Sequence, residues 1–104
     1  MSHYRYFIIQ TYENHGEPSS KKIRAHPLDG QGVSSTLNVE CSASMRERHA
    51  PGTLFKVDCK VTDRKGTPFL YRHYSWPYEV VTPQVAKQFI AKQFANQPPR
   101  AERA

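Results

Sequence analysis

Long hydrophobic runs are missing from this sequence, and no stretch approaches the ~18 apolar residues that a membrane-spanning helix needs. The opening Met1-Ser-His-Tyr-Arg-Tyr-Phe-Ile-Ile-Gln also lacks the apolar stretch and small-residue cleavage site of a secretory signal. A cytoplasmic protein with no membrane partner is the expectation. Cysteine is scarce as well: Cys41 and Cys59 are the only two, so no disulfide framework is implied. Neither belongs to a Cys-x₂₋₄-Cys pair, and the histidines at 3, 15, 26, 49 and 73 form no His-x₃₋₅-His pair. Structural zinc sites are built from such pairs, so neither a metal nor another cofactor is expected. The usual core-forming residues are few, with Leu, Ile, Val and Phe together 20 of 104 residues. The aromatics compensate: they make up 12% of the chain, and each large ring buries roughly 150–250 Å². Acidic residues are outnumbered nine to fifteen, for a formal charge of +6.

A basic surface attracts polyanions, which makes nucleic acid or an acidic protein the expected kind of partner. The excess charge is spread through the chain from residue 20 onward, so it is not a detachable basic tail. Chemistry is harder to find. Acid–base catalysis needs convergent carboxylates or a Ser/His/Asp set, and no acidic residue clusters with a histidine. Gly30-Gln31-Gly32 is not followed by Lys-Ser/Thr or by a helical pattern, so it makes a poor phosphate loop. Cys41 and Cys59 fall at inward positions of alternating strands, where they read as reduced, buried hydrophobes. Burial raises a thiol's pKa and removes its nucleophilicity. A non-catalytic domain is expected.

Residues 4–12 read as a first strand, rich in Tyr, Phe, Ile and Thr. A polar loop follows over 13–20, then a second strand over 21–28 with Ile23 and Ala25 on its inner face. Asp29-Gly30 is turn chemistry. Leu37, Val39, Cys41 and Ala43 alternate as a third strand, and residues 44–49 read as a short helical turn. The strongest element is a hairpin over 54–74, with Phe55, Val57, Cys59 and Val61 facing inward. Asp63-Arg64-Lys65-Gly66 fits a three-residue loop. That register sets Asp58 opposite Arg72 and Lys56 opposite Tyr74; a shift of one residue would bring Phe69 and Tyr71 beside the lysines instead. Residues 75–81 continue as a bent or edge strand. Thr82 and Pro83 then signal a helix start, as N-cap and first-turn proline. Its apolar stripe is Val85, Ala86, Phe89, Ile90 and Phe94.

The fold class expected is mainly β (or α+β): about five antiparallel strands in a small barrel or twisted sheet, with one C-terminal helix. Residues 1–95 form the single globular domain and 96–104 a flexible tail. The working surface is expected on the outer face of the hairpin. Lys56, Lys60 and Arg72 would meet phosphates there, while Tyr74 and Trp76 offer stacking rings. Lys22 and Arg24 on the second strand and Arg46 and Arg48 before the hairpin would extend it. The function this implies is nucleic-acid binding with a preference for single strands. The alternative is a protein–protein interaction module using an exposed strand edge or the aromatic patch.

Overall fold

The computed structural model describes residues 4–14, 23–41, 43–64, 66–73 and 76–93. Lys22, Tyr74, the loop residues from 15 onward and the tail 96–104 lie outside the described residues. Six strands form one nearly closed, barrel-like sheet: β1 (Arg5–Glu13), β2 (Ile23–Pro27), β3 (Asn38–Glu40), β4 (Leu54–Arg64), β5 (Thr67–Arg72) and β6 (Glu79–Val81). Among the described residues, two helices complete it, α1 (Ala43–Glu47) and α2 (Pro83–Gln93). The hydrogen-bonded order is β2-β1-β4-β5-β3, with β6 also paired to β4. At the seam between the two outermost strands, Arg24 Nη2 donates to Asn38 Oδ1 at 2.7 Å.

Alternation explains which side chains enter. Phe55, Val57 and Cys59 of β4 are fully buried with Phe7 and Ile9 of β1, and Ala25, Val39, Met45 and Leu70 close this inner core. Met45 comes from α1, which packs beside β2. The opposite face of β1 and β4 carries a second, smaller core. There Ile8, Leu54 and Val81 are buried beneath α2, against Ala86, Phe89 and Ile90. The helix starts as its residues dictate: the Val85 amide donates to Thr82 Oγ1 at 3.1 Å, and the Ala86 amide to Thr82 O at 2.9 Å. Its stripe is narrower than the pattern suggests, since Val85 is exposed and Phe89 only half-buried.

Three expectations are corrected. The third strand is short, and β3 pairs with β5 in parallel, Val39 opposite Leu70. The sheet is therefore mixed. The chain from β3 through α1 delivers β4 beside β1, so that β5 falls between β4 and β3 and runs in the direction of β3. The hairpin register is also shifted: Arg64 pairs with Thr67 and Cys59 with Arg72, not Asp58 with Arg72. Only residues 65 and 66 make the connection, with Gly66 at φ +84°, which a side chain would resist. The one-residue shift turns Leu70 inward opposite Val61 and places Tyr71 outward opposite Lys60. Finally, Cys41 is half-buried rather than buried, because it lies just past the end of β3.

β6 prolongs the line of β5 along the same edge of β4, but not continuously. Arg72 faces Cys59 and Glu79 faces Lys56, so residues 73–78 oppose only Val57 and Asp58. The described part of this surplus, His73 and residues 76–78, stands off the sheet as a bulge.

Candidate functional site

The outer face of β1 and β4 divides into two parts. α2 covers Ile8, Leu54 and Val81. Further along, Tyr6 lies opposite Asp58, and Lys60 lies opposite Tyr71. Tyr6 is 50% exposed and Tyr4 37%. These rings are coupled to the lysines. Lys56 Nζ sits 5.0 Å from the Tyr6 ring centroid and 4.9 Å from that of Phe89, while Lys60 Nζ is 5.2 Å from Tyr4. Such contacts hold an ammonium against a ring without neutralising it.

The bulge adds a third ring system. Trp76 lies 4.6 Å from Tyr4 in a tilted arrangement, and His73 stacks on Trp76 at 5.2 Å with an interplanar angle of 18°. Trp76 is positioned from beneath by Arg72. The Arg72 guanidinium is 3% exposed, donates from Nη2 to the Trp76 carbonyl and lies 5.3 Å from the Tyr78 ring. The Trp76 amide donates to His73 O at 3.1 Å. Tyr78 in turn packs edge-on against Phe55 and His49. The bulge is thus rooted in the inner core while its tryptophan joins the outer face.

Of the residues expected at the site, Lys56, Lys60 and Trp76 are brought to this surface. Arg72 lies inside beneath it as an anchor for the bulge. Arg24 lies at the β2–β3 seam, bonded to Asn38. Arg46 is buried on α1, where its Nε has no hydrogen-bond acceptor among the described residues, and Arg48 is exposed just beyond. Among the described residues, no contact joins Arg46 or Arg48 to Lys56 or Lys60. Tyr4 and Tyr6 were not singled out from the sequence, and Tyr71 was expected beside the lysines only in the shifted hairpin register. A signal for the first two was present: Tyr4, Tyr6 and Ile8 share one parity of β1 while Phe7 and Ile9 share the other, the mark of a strand apolar on both faces.

Burial, reinforced by nearby Cys41, pushes the Cys59 thiol up to about 12. It is therefore protonated and inert at neutral pH. Among the described residues, no group of three or more His, Cys, Asp or Glu side chains is placed to hold a metal ion. No described helix is long and apolar enough to cross a membrane. Comparison with protein-family models, with curated proteins and with solved structures returned no match.

Proposed function

We propose that this chain is a non-catalytic binding domain for single-stranded nucleic acid, held on the outer face of β1 and β4. One observation carries the reading: the half-exposed Tyr4 and Tyr6 rings share that face with Lys56 and Lys60, and Trp76 continues it. Tyrosines two residues apart on one strand face are about 7 Å apart, a spacing suited to successive unstacked bases of an extended strand. Each ring offers a π-surface to a base, and each ammonium a charge to a phosphate. A duplex hides its base faces and would leave the rings without a role.

The test is fluorescence anisotropy with labelled single- and double-stranded oligonucleotides at two salt concentrations. Single strands should bind more tightly, with affinity falling steeply as salt rises. Lys60→Ala should flatten the salt slope by about 0.7 on single strands. Tyr6→Ala should instead cost about 1–3 kcal/mol with little change in slope. Absence of salt-sensitive binding to any oligonucleotide by the folded protein would defeat this reading. A protein-interaction module would then take its place. That second reading is favoured by β6, which among the described residues pairs only with β4 and carries Val80 at 50% exposure.

A further inference from the structure

The rings of the candidate surface are not held alike. The ladder of β1 with β4 begins at Arg5 opposite Cys59, so it fixes Tyr6, opposite Asp58, while Tyr4 stands just ahead of it. The Tyr4 ring is held instead by Trp76, 4.6 Å away at an interplanar angle of 60°, with Lys60 Nζ 5.2 Å from its centroid. Trp76 is itself tied at three points. Its carbonyl accepts from Arg72, its amide donates to His73 O at 3.1 Å, and its indole stacks on His73 at 5.2 Å. These contacts take up much of the indole. Half-buried, with His73 stacked on it and Tyr4 against it, Trp76 offers a base a smaller share of its surface than Tyr4, 37% exposed, or Tyr6, 50% exposed.

We propose that Trp76 is a positioning residue: it holds the Tyr4 ring in line with Tyr6, so that the surface takes two successive bases, one on each tyrosine, and the indole takes none. The proposal rests on the single-strand reading above. Arg72 then acts on the ligand only through Trp76 and Tyr4. At 3% exposure its guanidinium is closed to a phosphate, but its bond to the Trp76 carbonyl sets where the indole stands. An arriving nucleotide exchanges one contact for two. The base replaces the Lys60 ammonium on the Tyr4 ring, and the ammonium passes to the adjacent phosphate. Residues that act through one another lose affinity non-additively, whereas independent contacts add. The two tyrosines therefore distinguish a support from a stacking platform.

The experiment measures anisotropy of a labelled thymidine decamer at low salt with wild type, Tyr4→Ala, Tyr6→Ala and Trp76→Leu, and with Trp76→Leu combined with each tyrosine change. Each tyrosine change should weaken binding about tenfold, and Trp76→Leu nearly as much as Tyr4→Ala. Trp76→Leu should cost nothing further in the Tyr4→Ala background and its full factor in the Tyr6→Ala background. A full further factor in the Tyr4→Ala background means that the indole holds a base itself; it overturns the inference and leaves single-strand binding standing. So does a Trp76→Leu protein that binds like wild type, for then Tyr4 needs no support. If wild type does not bind the decamer, both readings fall. Poor folding of Trp76→Leu does not spare the inference, because Trp76 is the only tryptophan of the chain and its fluorescence reports on this ring alone. Saturating decamer should leave most of the wild-type indole emission intact. Loss of most of it, the mark of a base stacked on the indole, overturns the inference.

Discussion

Gln31 should prove a keystone of β1 although it lies in a turn. Its side chain is 0% exposed and forms three hydrogen bonds: Oε1 accepts from the Ile8 amide at 2.7 Å, and Nε2 donates to Ile8 O at 2.8 Å and to Leu28 O at 3.0 Å. The amide orientation is dictated by its partners, since only an oxygen can face the Ile8 N–H and only a donor can face two carbonyls. The last pair of β1 with β2 is Ile9 with Pro27, and the Leu28 amide still donates to Ile8 O at 3.0 Å, so what Gln31 adds is the acceptor for the Ile8 amide and a second donor to Ile8 O. Its own carbonyl also accepts from Arg5 Nη2 at 2.6 Å. Gln31→Ala strands the buried Ile8 N–H, at roughly 1–3 kcal/mol. With the cavity added, the loss should be about 2–4 kcal/mol, a large part of the ~5–15 kcal/mol typical of a domain.

Gln31→Glu sharpens the test because it nearly preserves shape. The new side chain can still accept from Ile8 N–H, but its ionised form has no hydrogen for Ile8 O and Leu28 O. Folding then favours the protonated acid, raising its folded-state pKa above the ordinary value of about 4.3. A raised folded pKa gives stability that is present below the unfolded value and lost as pH rises through the folded one. At neutral pH Gln31→Glu should therefore be less stable than Gln31→Ala, and the order should close or reverse near about pH 4. Urea unfolding followed by far-ultraviolet circular dichroism at both pH values measures this. A Gln31→Glu protein as stable as wild type at neutral pH would refute the assigned hydrogen bonds.

Two further outcomes follow from the cores. In native protein at neutral pH, a thiol reagent should modify the half-buried Cys41 well before Cys59, which burial holds near 12 and which should react only on unfolding; rapid modification of both thiols would contradict the packing. Because folding keeps Cys59 neutral, its contribution is intact below about pH 9 and should be lost as pH rises toward 12, a decline that alkaline melts can follow. Phe55→Ala should cost about 3–5 kcal/mol, whereas Phe89→Ala should cost less, since its ring is only half-buried beneath Lys56. Thermal melts ranking them the other way would make α2, not the inner core, the main source of stability.

The parts of the fold legible in the sequence were those decided by local pattern. Phe55, Val57, Cys59 and Val61 alternate, and all four turn inward to or against the inner core. Thr82-Pro83 starts the helix where a cap and a first-turn proline should. Illegible parts were decided at a distance. Gln31 reads as turn chemistry beside two glycines, and nothing near it in sequence reveals that its side-chain amide bonds the Ile8 backbone. Arg72 reads as an outward charge because Asp58 offers a plausible partner. In the fold it turns inward, opposite Cys59, where the Trp76 carbonyl receives it. A loop shorter by one residue decides between these, and Asp63-Arg64-Lys65-Gly66 is compatible with both. The lysines of the candidate surface survive either register, as Lys56 and Lys60 share a parity of β4. Its rings do not: Tyr71 stands opposite Lys60 where the expected register put Leu70, and Tyr4 and Tyr6 arrive from β1.

Length explains why that surface is open. The eleven residues of β4 span about 36 Å, while the eleven of α2 span about 16 Å. The helix seals Ile8, Leu54 and Val81 and ends its cover where Lys56 leans on Phe89. Past that point no described helix covers the sheet, and ordinary strand design would place small polar residues there. It carries Tyr4, Tyr6, Tyr71 and, by way of the bulge, Trp76. Exposed rings stabilise the fold little, because they bury only part of their area. The buried guanidinium of Arg72 is costly unless bonded, and one acceptor it finds is the carbonyl of Trp76, whose indole stacks on His73 and tilts against Tyr4. A domain with few aliphatic residues thus commits several of its largest rings, and one buried charge beneath them, to a surface that its own helix does not reach. That expenditure is intelligible if a ligand completes the second layer.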